Sequence, residues 1–211
     1  KSKTIKESQS FLEEFIYAIK NLKPETLESI HSGTSDETIL KIFSYLHDNK
    51  ITLENLVTEL KEDFSEEKLI SVNSKEDSEL KQLAVNSLET NEYRAVFAVD
   101  KLNEGWDVLN LFDIVRLYET RDSGKGKLGK TTMSEAQLIG RGARYCPFQI
   151  TNDQPLFGRK YDEDIDNELR VCEELHYHSS YNPKYIQELN AALREIGIKA
   201  NESIERKISL K

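Results

Sequence analysis

Apolar residues recur at helical spacing from the start of the chain. Thr4-Ile-Lys-Glu7 has the form of a capping box, and Phe11, Leu12, Phe15, Ile16, Ile19 and Leu22 follow at three- and four-residue intervals up to Pro24. That pattern predicts an amphipathic helix. Residues 25–67 read as two or three acidic helices, with apolar positions at Ile39, Leu40, Ile42, Phe43 and Leu46, then Leu53, Leu56, Val57 and Leu60. We read them as an insertion packed on the core. From Leu69 the rhythm changes: Leu69–Val72 and Arg94–Val99 are short apolar runs flanking a helix through Leu80, Leu83, Ala84 and Leu88, and a third run covers Leu111–Tyr118. A glycine-lysine loop follows, then a helix expected to start near Ser134. Past Pro147 come a polar loop, the acidic segment Asp162–Glu168 and a strand candidate at Arg170–His178. Asn182-Pro183 opens a helix through Ile186, Leu189, Leu193 and Ile196, with Gly197 as its C-cap. The tail, residues 199–211, carries no clear pattern. Short apolar strands alternating with helices predict an α/β fold with a parallel sheet, and a site at the carboxyl ends of its strands.

Composition narrows the class. A chain of 211 residues that is 37% hydrophobic can bury a core. The longest apolar run, Ala95–Val99, is far short of the roughly 20 residues a membrane span needs. No charged-then-apolar leader opens the sequence, so no membrane association and a cytoplasmic location are expected. Cys146 and Cys172 lack metal-binding or redox spacing and read as reduced thiols. The opening at Lys1, with no strand ahead of the first helix, reads as a piece of a longer protein. The net charge of −9 is uneven: Pro24–Glu67 carries eleven acids against three bases, whereas Arg116–Arg144 carries seven bases against three acids. A basic face on an acidic body permits a phosphate- or DNA-facing patch.

The chemistry concentrates in two stretches. Ala98–Asp107 reads A-V-D-K-L-N-E-G-W-D, and Ser134–Tyr145 reads S-E-A-Q-L-I-G-R-G-A-R-Y. Arg141 and Arg144 lie three residues apart beside two glycines, a spacing that can aim two guanidiniums at one target. A guanidinium stays protonated and offers a planar fork of donors suited to a phosphate gaining charge during transfer. Ala98, Asp100, Gly105 and Asp107 resemble motif V of superfamily 2 helicases, and Gln137, Gly140, Arg141 and Arg144 fit each fixed position of motif VI. Val99 stands where the family often has a nucleic-acid-contacting threonine. The closer resemblance, over Lys1–Ile198, is to the second RecA-like domain of the restriction (Res) subunit of type III restriction enzymes.

The resemblance implies a RecA-like parallel sheet with flanking helices, spanning residues 1–198 with the helical insertion at about 25–67. It implies Arg144 and Arg141 as catalytic arginine fingers, and Gly105, Asp107 and Gln137 as nucleotide-binding residues. ATP and Mg²⁺ would be bound mainly by a first RecA-like domain that this sequence lacks. Double-stranded DNA, a methyltransferase (Mod) subunit and a nuclease domain of the same parent chain are the implied partners. Ser2 and Thr4, at a helix start resembling the end of motif IV, and Lys125 and Lys127 are candidate DNA contacts. The fragment alone is expected not to turn over ATP.

Other patterns have simpler readings. Gly124–Thr131 satisfies the phosphate-loop spacing, but Thr120-Arg-Asp-Ser separates it from the preceding strand candidate and no strand ending in a metal-holding Asp follows. We read it as a basic loop, and keep a nucleotide binder using Lys130 as an alternative. His176 and His178 share one strand face without further obvious ligands, so no metal site is expected. Glu66-x-Lys68 and Glu205-x-Lys207 copy half of a nuclease signature and fall to composition. Another superfamily 2 motor, such as a type I restriction translocase or a repair or RNA helicase, or a non-motor interaction module built on the acidic helices, remain the alternatives.

Overall fold

In a computed structural model, residues 4–73, 79–88, 92–99, 111–118, 128–142 and 148–200 are described. The first helix, α1 (Ile5–Lys20), starts where the sequence places it. Thr4 Oγ1 accepts from the Glu7 backbone N–H at 3.2 Å while Glu7 Oε2 accepts from the Thr4 N–H at 3.1 Å, closing the capping box. Three short helices follow: α2 (Pro24–Gly33), α3 (Glu37–Asp48) and α4 (Leu53–Asp63). Asp36 and Thr52 cap the second and third of these through their side-chain oxygens. Their inward residues Leu27, Leu46 and Val57 are buried, so this acidic region packs on the rest of the molecule through narrow apolar stripes.

Strand β1 (Leu69–Asn73), helix α5 (Glu79–Asn86) and strand β2 (Ala95–Val99) then form the crossover that the apolar runs predict. β1 and β2 pair in parallel, from Leu69 opposite Ala95 to Asn73 opposite Val99. Ile70, Val72, Ala98 and Val99 are buried, as strands covered on both faces must be. One of the covers is α1, whose Phe15 ring meets Phe64 and Phe97 edge-on, with centroids 5.6 Å apart in both pairs.

A second parallel pair joins β3 (Asp113–Val115) to β4 (His176–His178), with Ile114 opposite Tyr177. Helix α6 (Lys130–Gly142) and helix α7 (Pro183–Glu195) pack together beside it. One apolar cluster runs through both strand pairs and the helices: Val72, Val85, Ile114, Leu138 and Leu189 all belong to it. The architecture is mixed helix and strand with two small parallel ladders, compatible with an α/β class. α7 ends as the sequence indicates. Gly197 adopts φ of +78°, and the N–H groups of Gly197 and Ile198 reach back to the carbonyls of Arg194 and Leu193 at 3.1 and 2.9 Å.

Three expectations are corrected. Arg170–His178 is not one strand: a 3₁₀ helix occupies Glu168–Glu173 and only His176–His178 pairs. Asn167 caps that helix by accepting from the Leu169 N–H at 3.0 Å, and the Glu173 carboxylate turns inward to accept from the N–H groups of Lys160 and Tyr161. The Leu111–Tyr118 run yields only three paired residues. Helix α6 begins a full turn before Ser134, because the Glu188 carboxylate of α7 accepts from the Gly129 N–H at 3.0 Å and caps the helix there. Ser134 and Gln137 therefore lie inside the helix.

Gly142 has no room for a side chain. A Cβ there would stand 3.1 Å from Leu111 Cδ2 and from Leu175 Cδ2, whereas at Gly33 nothing lies within 4 Å. Gly142→Val should lower unfolding free energy by about 1–3 kcal/mol through overpacking. Gly33→Ala should leave it equal or raise it by up to about 1 kcal/mol. Urea unfolding of both variants checks the contrast.

Candidate functional site

Helix α6 carries the sequence's arginine motif, so its setting decides what that motif can meet. At about 100° per residue, Glu135, Leu138 and Ile139 share one face, and all three are buried. Ala136 on α6 and Ala192 on α7 are both 0% exposed, small residues that let the two helices approach closely. Gln137 lies about 200° round the helix from Glu135 and is exposed. Arg141 follows in the same helix, four residues after Gln137. The glycines flanking Arg141 serve packing: a Cβ at Gly140 would stand 3.3 Å from Ile198, and Gly142 sits against Leu111 and Leu175.

A buried polar network anchors the inward face. Arg116 and Glu135 pair at 3.1 Å with side chains only 4% and 3% exposed. Strand alternation accounts for the arginine: Asp113 and Val115 face outward while Ile114 and Arg116 face inward. Glu135 Oε1 accepts from Arg116 Nε and from the Tyr118 hydroxyl, and Oε2 accepts from the Tyr185 hydroxyl at 2.6 Å. Since Tyr185 spends its one proton on Glu135, the Tyr177 hydroxyl, 2.5 Å away, donates to Tyr185. The Arg116 guanidinium stands over two rings, 4.2 Å from the Tyr118 centroid and 4.1 Å from that of Tyr185.

Burial works to lower the Arg116 pKa, but the Glu135 charge, joined by Tyr185 and Tyr118, outweighs it and raises the pKa above its ordinary value. Tyr118, Tyr177 and Tyr185 are all pushed well above the usual phenol range. Burial is the leading cause in each; beyond it, Tyr118 and Tyr185 hydrogen-bond to Glu135, and Tyr177 lies beside its charge. The network is thus held in one protonation state through the physiological range: cationic arginine and neutral phenols.

Of the residues singled out in the sequence, Thr4 serves as the α1 cap and is exposed. Gln137 is on the exposed face of α6, and Arg141 lies in the same helix, its side chain outside the described residues. Ser2, Asp100, Gly105, Asp107, Lys125, Lys127 and Arg144 lie outside the described residues, as do Cys146, Glu205 and Lys207. Lys130 is exposed at the start of α6, where Glu188 places the chain's own carboxylate on the Gly129 N–H. His178 pairs with Asp113 at 2.9 Å and His176 Nε2 lies 3.4 Å from the Val171 carbonyl. Among the described residues no group of three or more metal donors gathers. Glu66 pairs with Lys20, and Lys68 lies 3.7 Å from Asp63, so that half-signature forms surface ion pairs. Cys172 is free, its thiol raised in pKa by burial and by the neighbouring Glu173. Among the described residues no helix is long and apolar enough to cross a membrane.

The sequence reading passed over Arg116, Tyr118, Glu135 and Tyr185. A signal was present: Arg116 falls at the inward parity of a strand, and Glu135 falls in register with Leu138 and Ile139 on an apolar helix face.

Removing one member of such a pair strands the other charge in the interior. Arg116→Ala should cost about 3–5 kcal/mol of stability, whereas Arg94→Ala, which breaks a solvent-exposed pair with Asp63 at 3.2 Å, should cost at most about 1 kcal/mol. Chemical denaturation of both variants measures the difference. For the raised phenols, the unfolded chain releases protons near pH 10 that the folded chain keeps. Their contribution is fully present below about pH 10 and is lost as pH rises above it. The urea midpoint should therefore fall above about pH 10, and ultraviolet titration should leave at least three of the nine tyrosines protonated until the fold is lost.

Comparison with known proteins gives partial matches. Residues 131–202, from α6 past the end of α7, match the family described as HI_1054_N, N-terminal region. The chain is 51% identical over 67 residues to an uncharacterized protein of Haemophilus influenzae, covering 31% of this chain and 14% of that protein. It is 36% identical over 148 residues, covering 59% of this chain and 28% of the other, to an H. influenzae protein named "Probable type III restriction-modification enzyme HindVIP Res subunit". No solved structure matches. The chain thus spans less than a third of the length of the curated relatives it matches, and over more than half of its own length it is similar to a part of a type III restriction Res subunit.

Proposed function

We propose that this chain is the second, RecA-like motor lobe of an ATP-dependent DNA translocase, the restriction subunit of a type III restriction-modification system. The observation that carries the reading is the outward face of α6, where exposed Gln137 is followed one turn later by Arg141, within the Gln137, Gly140, Arg141, Arg144 spacing of motif VI. Similarity to a Res subunit supports it independently. An exposed amide with arginines four and seven residues further along the sequence is a residue set suited to a polyphosphate held by another lobe.

In this reading Arg144 reaches the γ-phosphate and Arg141 clamps neighbouring phosphate oxygens, while Gln137 contacts the nucleotide or its water network. Gly105 lets the backbone turn close to the nucleotide and Asp107 accepts from a ribose hydroxyl or an arginine. Mg²⁺, bound with ATP chiefly by the first RecA-like lobe, supplies further neutralisation of the phosphate charge. Closing the lobes brings the arginines onto the phosphates and hydrolysis releases them. With double-stranded DNA lying across both lobes, and Ser2, Thr4, Lys125 and Lys127 on its backbone, each cycle becomes movement along the duplex. A Mod subunit supplies site recognition and a nuclease domain elsewhere in the parent supplies cleavage. The lobe alone is inactive.

The alternative of a phosphate loop using Lys130 is disfavoured because the helix start it would need already carries Glu188. In the parent enzyme, Arg144→Ala should lower DNA-stimulated ATP turnover at least about 100-fold with ATP binding largely kept. Near-normal turnover would refute the reading. In the isolated chain, Lys130→Ala should leave its weak ATP binding unchanged, and a clear loss would favour the nucleotide-binder alternative. Stimulation by RNA rather than duplex DNA would place the chain in a different superfamily 2 motor.

A further inference from the structure

We infer that Glu135 is a positioning residue for the arginine helix: its carboxylate fixes the rotation of α6 about its own axis, and so the direction in which the Gln137 and Arg141 face is presented. The inference deepens the motor reading and rests on it for its readout.

Apolar contacts hold α6 on the core: Ala136, Leu138 and Ile139 are buried in it, and Gly140 and Gly142 stand close to Ile198, Leu111 and Leu175. Burial itself is non-directional. Hydrogen bonds to a carboxylate are directional. The two oxygens of Glu135 are engaged from two different elements: Arg116 Nε and the Tyr118 hydroxyl approach Oε1 from the segment leaving β3, and the Tyr185 hydroxyl approaches Oε2 from α7. Tyr177 on β4 backs Tyr185 in turn. Rotating α6 in either sense lengthens a bond at one oxygen or the other, with the Arg116 charge left buried beside a misplaced partner. The outward face lies about 200° from this clamp, so an angular error at Glu135 is carried directly to Gln137 and Arg141. Displacements of about 1 Å at a catalytic group can cost on the order of 100-fold in rate.

The test uses the parent enzyme with duplex DNA and Mg²⁺-ATP. Glu135→Gln keeps shape and removes charge; Tyr185→Phe removes one hydroxyl and leaves the ion pair. With folding at the assay temperature verified by circular dichroism and a thermal melt, kcat should fall about 10-fold or more in Glu135→Gln and about threefold in Tyr185→Phe, with KM for ATP within about threefold of wild type in both. A merely supporting role would lower the melting midpoint and leave kcat per folded molecule unchanged; that result overturns the inference. If Glu135→Gln does not fold, Tyr185→Phe decides by the same criterion. Arg144→Ala, run alongside, separates the two layers. If it is inactive while Glu135→Gln and Tyr185→Phe turn over normally, positioning alone falls; if it turns over normally, the motor reading falls and takes the inference with it.

Discussion

An arginine and a glutamate buried together impose a severe condition on the chain around them. Moving two charges out of water costs several kcal/mol per ion, and their attraction repays it only when geometry is good and the remaining donors and lone pairs are met. Here the condition is met from four elements. β3 delivers Arg116 and the following Tyr118, α6 delivers Glu135, α7 delivers Tyr185, and β4 delivers Tyr177. Two tyrosine rings pack on the guanidinium. The β3–β4 ladder is only three residues long, too short to be stable by itself, and depends on this network and on the packing of α6 against α7.

The two ends of the molecule use different physics. Around β1 and β2 the interior is apolar, with Val72 and Ala98 nearly inaccessible and Phe15 wedged against Phe64 and Phe97. The acidic helices α2 to α4 attach through single buried residues and through exposed ion pairs such as Arg94 with Asp63, which contribute little each. Around α6 the apolar burial of Ala136, Leu138 and Ile139 is joined by the polar network, which supplies direction. Such a division suits a helix whose outward face must be aimed rather than only held, and it links the strand that follows the Gly105–Asp107 stretch to the helix that carries Arg141.

Local signals in the sequence were faithful where the chain acts locally. The Thr4–Glu7 box, the Asn182-Pro183 start and the Gly197 stop are all present, because each depends on residues within one turn. The crossover from β1 to β2 was legible because both strands are buried on both faces and read as apolar runs. Long-range polar contacts were not legible. Glu188 moves the start of α6 back by a turn from 59 residues away, and Glu173 folds the expected strand into a 3₁₀ helix by capturing two loop N–H groups. Glu135, inside the motif itself, passed as an ordinary helix acid because its partners lie 19, 17 and 50 residues distant. For the candidate site, residue types and spacing were visible in the sequence, and the outward setting of Gln137 became visible only with the fold.

Everything functional in this account depends on the guanidiniums of Arg141 and Arg144 reaching a triphosphate held by another lobe. The most direct measurement is a crystal structure of the parent enzyme trapped with ADP, Mg²⁺ and aluminium fluoride. The account predicts the guanidinium of Arg144 or Arg141 within hydrogen-bonding distance of the fluoride, with the Glu135 carboxylate still held by Arg116 and Tyr185. Both arginines turned away from the nucleotide in that trapped state would contradict it.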